Sequence, residues 1–318
     1  MINFLQYNLL KIFASRLGSE VVSGESLTKI YALTQRLPIF ENILLECRLA
    51  VNNPQIDIST MVLNHDIHLP KNLLKHHVWK RLQTICEDWA NPDSFLNEKL
   101  REIWLEFDLH GKPSDQPIPG IFLVLNLAAN WDENLLLQMA QNLFENQIKS
   151  KLATNLKICF DTLTDTAKII YLAAMLSRNT DILRLNISGL PQDKLAIYLD
   201  KIGWNGSVSE LEEIISKISA FTDTIVLSFD VGETVLPRIG LECYLLDKPQ
   251  DEPRWQLFLD YLISQGLCSL AKSKAVLAWT EFQPQELNVS ANFTICTKIV
   301  YQTGMPLEAK AYLGFWPY

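Results

Sequence analysis

Much of what this chain lacks is informative. Its six cysteines (47, 86, 159, 243, 268 and 296) form no CxxC pair, and most lie inside apolar runs. That pattern predicts reduced, buried thiols. GxGxxG, P-loop and GxSxG sequences are absent, so nucleotide binding by those loops and α/β-hydrolase chemistry have no support. No apolar run reaches the ~20 residues that a bilayer span requires. Basic residues are not in excess: 28 Lys and Arg face 36 Asp and Glu, for a net charge of −8. A nucleic-acid partner would call for a basic face, whereas this balance fits a soluble, cytoplasmic protein. The N-terminus, MINFLQYNLLKIFASRLG, has no basic leader, and Gln6, Asn8 and Lys11 interrupt its apolar stretch. It reads as an amphipathic helix rather than a signal peptide. His65-x-x-His68 and His76-His77 come without a Cys partner or a helical HExxH frame, so they read as polar loop and solvated helix rather than as a metal centre.

What is present is a repeat. The 318 residues are 48% hydrophobic, enough for a large core. Strand-like stretches come in pairs, near residues 43–64, 102–127, 168–189, 223–246 and 293–314. Each pair after the first follows helical sequence. A recurring unit of about 55–70 residues implies one architecture tiled around an axis. The helical stretches are read at 1–40, 71–89, 93–100, 132–150, 191–202, 208–221, 252–266 and 270–280, with 154–166 left undecided. In 71–89 the apolar positions Leu74, Val78, Leu82 and Ile85 recur every three to four residues. Ser209 with Glu212 suggests a capping box at the start of 208–221, with Ser207 the other cap candidate. The 168–177 stretch, rich in Ala and Leu, is compatible with strand or helix. The tryptophans at 79, 89, 204, 255 and 279 lie on or beside helices and are expected to pack.

Sorting the strands by parity separates two faces. Leu45, Cys47 and Leu49 oppose Glu46 and Arg48. Ile103, Leu105, Phe107 and Leu109 oppose Trp104, Glu106, Asp108 and His110. Leu183, Leu185 and Ile187 oppose Arg184, Asn186 and Ser188. Ile225, Leu227 and Phe229 oppose Ser228 and Asp230. Ile239, Leu241, Cys243 and Leu245 oppose Arg238, Glu242 and Tyr244. Leu307, Ala309, Ala311 and Leu313 oppose Glu308, Lys310 and Tyr312. Amphipathic helices must cover the aliphatic face. The polar face then looks at solvent if the sheet is open, as in two packed α+β domains, or into a lumen if ten strands close.

Helix, strand, strand, helix, repeated with the polar face inside, resembles the ABBA prenyltransferases. The resemblance covers residue 40 to the end, and its nearest motif is CTKIVYQ…LEAKAYLGF, where Lys298, Lys310 and Tyr312 are similar to that family's diphosphate-holding Lys-x-Tyr strands. In length the chain looks more like the cyanobactin (ribosomal-peptide) prenyltransferases than the longer fungal indole enzymes. The fold this implies is an α/β PT barrel: ten antiparallel strands from five ααββ-type repeats, helices outside, in a single domain 1–318 with an N-terminal helical segment 1–40. The activity it implies is transfer of a dimethylallyl or geranyl group from its diphosphate to an electron-rich side chain of a peptide or a small-molecule acceptor. Such chemistry needs cations for the leaving diphosphate, aromatic faces for the allyl cation and a base for the acceptor proton.

On that resemblance Arg48, Arg184, Arg238, Lys298 and Lys310 are diphosphate ligands. Trp104, Tyr244 and Tyr312, with Glu106 and Glu242, line the carbocation and acceptor pocket. Glu46 matches by position the base of the indole enzymes. The polar face also carries Asp108, Asp230 and Glu308, an acidic load with three open readings: a bound Mg²⁺, a cationic acceptor such as a guanidine or amine, or mutual Glu–Arg pairing. The Asp-rich metal motif of the isoprenyl diphosphate synthases is absent. The runner-up reading is a non-catalytic barrel, a binding module or an accessory protein of a peptide-modifying pathway.

Overall fold

The structure, a computed structural model, describes residues 17–37, 42–62, 69–109, 116–145, 147–178, 180–281 and 291–317. Ten strands close into one antiparallel barrel: β1 (Ile43–Arg48), β2 (Ile56–Val62), β3 (Leu100–Phe107), β4 (Gly120–Leu125), β5 (Lys168–Ala174), β6 (Leu183–Ser188), β7 (Thr224–Val231), β8 (Val235–Tyr244), β9 (Ala291–Tyr301) and β10 (Glu308–Pro317). Every strand pairs with its sequence neighbours, and β1 also pairs with β10. The closure removes the open-sheet alternative. The Ala- and Leu-rich 168–177 stretch is strand through Ala174, where it pairs with β4 and β6.

The helices are α1 (Gly24–Thr34), α2 (His77–Ala90), α3 (Phe95–Lys99), α4 (Glu133–Leu143), α5 (Ser150–Asp161), α6 (Gln192–Lys201), α7 (Val208–Ser219), α8 (Arg254–Ser264) and α9 (Leu270–Ala278). Their apolar stripes cover the aliphatic strand face, so the hydrophobic core is a shell between barrel and helices. Leu45, Cys47, Leu105, Leu185 and Leu241 are buried there against Trp79, Leu82, Tyr198, Trp255 and Phe258. The five expected packing tryptophans are all buried in this shell. Each donates its indole N–H to a backbone carbonyl: Trp79 to Pro117, Trp89 to Leu100, Trp204 to Pro237, Trp255 to Asp247 and Trp279 to Gly314. An indole has a donor that burial obliges it to satisfy.

Local chemistry sets several boundaries. The helix expected over 71–89 is interrupted: a 3₁₀ turn at Leu73–Lys75 ends at His76, which is extended and whose Nδ1 accepts from the Val78 N–H at 3.2 Å. His76 is therefore the cap of α2. The helix expected over 132–150 stops at Leu143, before Glu145 at φ 53°, and α5 takes up the undecided 154–166 region from Ser150. Ser207 rather than Ser209 caps α7, accepting from the Glu210 N–H, while its own N–H goes to Thr303 Oγ1 and no capping box closes. Gly203 ends α6 at φ 73°, with the Trp204 N–H returning to the Leu199 carbonyl. That closure needs a left-handed residue. Lys272 of α9 is fully buried, and its ammonium donates to the carbonyls of Arg48, Ala50 and Asn53 at 2.6–2.8 Å. It ties α9 to the β1–β2 turn. Of the N-terminal segment 1–40, residues 1–16 and 38–40 lie outside the described residues, as do His65, His68 and His110. Among the described residues no helix is long and apolar enough to cross a membrane.

Candidate active site

Most of the described residues of the polar parity set face inward. The lumen holds a cavity of about 580 Å³ lined by residues of most strands and bordered at one end by Leu245–Pro249. A layer of ion pairs adjoins it, some members lining the cavity and others lying behind them.

That layer answers the question of the acidic surplus. Arg48 bridges Glu46 and Asp57, the latter at 2.7 Å, and Lys310 donates to Glu46 at 2.7 Å. Arg184 and Asp230 form a two-point pair at 2.8 and 3.1 Å. Arg178 holds Asp108 in the same way at 2.9 and 3.1 Å. Lys298 meets Glu242 at 3.1 Å and Ser228 Oγ at 3.0 Å. Glu242 also accepts from Asn186 at 2.8 Å and from the Tyr244 hydroxyl at 3.0 Å. Asn186 and Ser228 are buried and bonded to each other at 3.2 Å, which closes the network. A satisfied polar network in a low-dielectric lumen fixes its members in place.

Pairing is not the whole pattern. Strand register sets Arg48 opposite Lys310 and Lys310 opposite Lys298. Three cations thus occupy adjacent cross-strand positions on β1, β10 and β9, where like charges repel. Burial pulls the Lys310 ammonium below its ordinary pKa, and Arg48 and Lys298 add to that against the attraction of Glu46. Burial alone would raise the Glu46 carboxyl, but Lys310 and Arg48 outweigh it and hold it well below the usual carboxylate range. The Lys310 shift disfavours the pair, through burial first and the cations on both sides second, and the Glu46 shift favours it, because those cations are its counterions. Burial likewise opposes the Arg184 charge, and Asp230 outweighs it.

Glu106 stands apart. It lines the cavity, yet among the described residues it has no ion pair and no hydrogen bond. Burial, then Glu46 and Asp108, push its carboxyl up to about 7, against Arg184 and Lys310.

Aromatic side chains fill the rest of the wall: Trp104, Phe122, Tyr171, Tyr244, Tyr312 and Trp316. Trp104 meets Trp316 edge-on at 6.2 Å and donates its N–H to Glu102 at 2.9 Å. Burial, first among the causes, raises the phenols of Tyr244 and Tyr312 well above their ordinary value and that of Tyr171 to about 12, so all three stay neutral.

Two glycines make room for these groups. A Cβ on Gly314 would lie 1.9 Å from the Trp316 ring, and one on Gly240 would lie 2.1 Å from Lys298 Cε. Gly240→Ala should therefore push the flexible lysine off Glu242 and Ser228 without breaking the barrel. The expected loss is about 1–2 kcal/mol, from the buried hydrogen bonds forfeited, read as a shift in the urea midpoint with an unchanged circular dichroism spectrum.

Of the residues singled out from sequence, Arg184, Lys298, Trp104, Glu106, Glu242, Tyr244 and Tyr312 line the cavity. Glu46, Arg48 and Lys310 belong to the ion pairs lying behind them. Arg238 sits at the rim, half exposed, paired with the equally exposed Glu308 at 2.9 Å. A preformed Mg²⁺ site does not fit the donors: among the described residues no three His, Cys, Asp or Glu side chains gather as one, and Glu46, Asp57, Asp230 and Glu242 already accept from Arg or Lys. Sequence reasoning overlooked Tyr171 and Trp316 in the cavity wall and Asp57 and Arg178 in the ion pairs.

No protein-family model and no curated protein sequence matches the chain. A solved structure does: the crystal structure of AnaPT from Neosartorya fischeri, at a TM-score of 0.58 and 12% identity, over 99% of this chain and 91% of that one. AnaPT is an ABBA prenyltransferase. The fold is the PT barrel. At 12% identity that likeness carries the fold alone, so the chemistry here rests on this chain's own side chains.

Proposed function

We propose that this PT barrel transfers an allyl group, dimethylallyl or geranyl, from its diphosphate to an electron-rich acceptor. The observation that carries the reading is the cation row Arg48–Lys310–Lys298, with Arg184 across the lumen, beneath a cavity walled by aromatic rings. Three buried cations side by side are costly unless an anion shares them, and a diphosphate spans such a row. At rest the carboxylates Glu46, Asp57 and Glu242 do that duty. Donor binding would exchange them for phosphate oxygens. Arg184 and Lys298 reach the cavity and take the diphosphate, with Lys310 and Arg48 behind them supplying field. As the C–O bond ionises, charge grows on the leaving oxygens and these cations stabilise it. Tyr244, Tyr312, Tyr171 and Trp104 face the allyl cation with their negative ring faces and keep water out. The likeness to AnaPT supports the barrel frame, and the acceptor is a small molecule or a peptide side chain.

Titration calorimetry with inorganic diphosphate and with geranyl diphosphate tests the reading. Binding at micromolar to sub-millimolar concentration is expected, and Lys298→Met should weaken it by at least tenfold, the loss of one charge-assisted contact. No binding at millimolar concentration would overturn it. A barrel that only holds a ligand would bind geranyl diphosphate and never release inorganic diphosphate, which a phosphate-release assay distinguishes.

A further inference from the structure

Two lumen carboxylates compete for the role of proton acceptor, and their surroundings differ. Glu46 sits between Lys310 at 2.7 Å and Arg48 and is not among the residues that line the cavity. A proton on it would leave Lys310 without its counterion and Arg48 with Asp57 alone. Glu106 has no cation bound to it and lines the cavity. Its cross-strand neighbours are small: Ser59 on β2 and Gly120 on β4. Neither blocks its way into the lumen, and the space a Cβ on Gly120 would take is held by the Met175 thioether, 2.9 Å away. The charged groups that act on it are Glu46 of β1, Arg184 of β6, Lys310 of β10 and Asp108 beyond the end of β3, and Tyr312 of β10 feels its charge in turn.

Resting on the prenyl-transfer reading above, we infer that Glu106, rather than Glu46, removes the proton from the acceptor. The bookkeeping of the step closes without a further reactant. The allylic C–O bond breaks and its electron pair leaves with the diphosphate. An acceptor π or lone pair forms the new bond to the allyl carbon. The hydrogen on the attacked acceptor atom passes as a proton to a Glu106 oxygen, its bonding pair returning to the acceptor, and the carboxylic acid then yields that proton to water. The acceptor is accordingly an electron-rich atom that bears a hydrogen, such as an indole carbon or a phenol oxygen.

The test compares wild type, Glu106→Gln and Glu46→Gln, with dimethylallyl and geranyl diphosphate as donors and N-acetyltryptophanamide and N-acetyltyrosinamide as acceptors. Transfer product and released diphosphate are followed between about pH 5 and 9, a range that spans the carboxyl. For wild type, kcat/KM should rise with pH through an inflection near the Glu106 value of about 7. Glu106→Gln should bind inorganic diphosphate at least as tightly as wild type, which also shows it folded, while losing transfer by about 10²–10⁴-fold together with the inflection. Glu46→Gln should keep the inflection whatever its rate. Transfer by Glu106→Gln at the wild-type rate, or an inflection abolished in Glu46→Gln, overturns the assignment and leaves prenyl transfer standing. Absence of both transfer and diphosphate release in wild type overturns the assignment together with the reading beneath it.

Discussion

Replacing Arg48 by methionine is expected to cost about 3–5 kcal/mol of folding stability, the usual penalty for breaking a buried ion pair from one side. Arg48 is the shared counterion of Glu46 and Asp57, and all three side chains are at most 13% exposed. Without it Glu46 keeps Lys310, but Asp57 keeps only the Leu109 N–H at 2.9 Å. Methionine fills much of the same volume, so packing is not the reason for the loss; an uncompensated charge is. The double variant Arg48→Met with Asp57→Asn removes that charge and should recover more than half of it. Urea denaturation of the two variants and the single Asp57→Asn completes a double-mutant cycle, in which residues in contact show interaction energies of about 0.5–3 kcal/mol. A single-variant loss below about 1 kcal/mol, the value of a solvated surface pair, would mean that water reaches this layer and that the cation row is not held in a low dielectric.

The cation row also marks the limit of what the sequence made legible. Parity alone put Glu46, Arg48 and Lys310 on the polar face, because alternation is a local property of a strand; Lys298 came from the motif resemblance. That Lys310 lies beside Lys298 depends on the β9–β10 hairpin register, and that Arg48 lies beside Lys310 on register between strands at opposite ends of the chain. The second register follows from the closure of the whole barrel and leaves no trace in any single strand. The same holds for the pairing of Arg184 with Asp230: both were seen as polar-face residues, and only the β6–β7 register makes them partners. Other misses were local. Tyr171 was hidden in a strand whose Ala and Leu content also suits a helix. Trp316 lay past the expected end of the last strand, which runs to Pro317. Arg178 lies in a short 3₁₀ turn that alternation cannot flag. His76 was weighed as a metal ligand although its place just ahead of an apolar-periodic helix is that of a capping residue.

Glu106→Gln should make the protein more stable at neutral and alkaline pH, by about 3 kcal/mol. The folded protein raises this carboxyl from 4.5 to about 7, and each pKa unit corresponds to about 1.4 kcal/mol. The sign follows from proton counting. Between those two values the folded state binds the proton more tightly than the unfolded chain does, so the carboxyl's favourable contribution is complete below about 4.5 and is lost as pH rises through about 7. Glu46 works in the opposite sense: its lowered pKa adds stability above the unfolded value and loses it as pH falls. Both trends are present in wild type, but Glu46 is unchanged in the variant, so subtracting the two stability curves isolates Glu106. The difference should be near zero at about pH 4.5 and should grow to its full value by about pH 8, the window that the two pKa values define. A difference flat across that range would show the carboxyl to be well hydrated and its pKa ordinary. The expected curve would show instead that the barrel carries an unpaired acid at a cost in stability, in a lumen where Glu46, Asp57, Asp230 and Glu242 are all paired. Paired carboxylates can be explained by structure alone. One left free, flanked by a serine and a glycine and turned toward the cavity, has its reason in what enters that cavity.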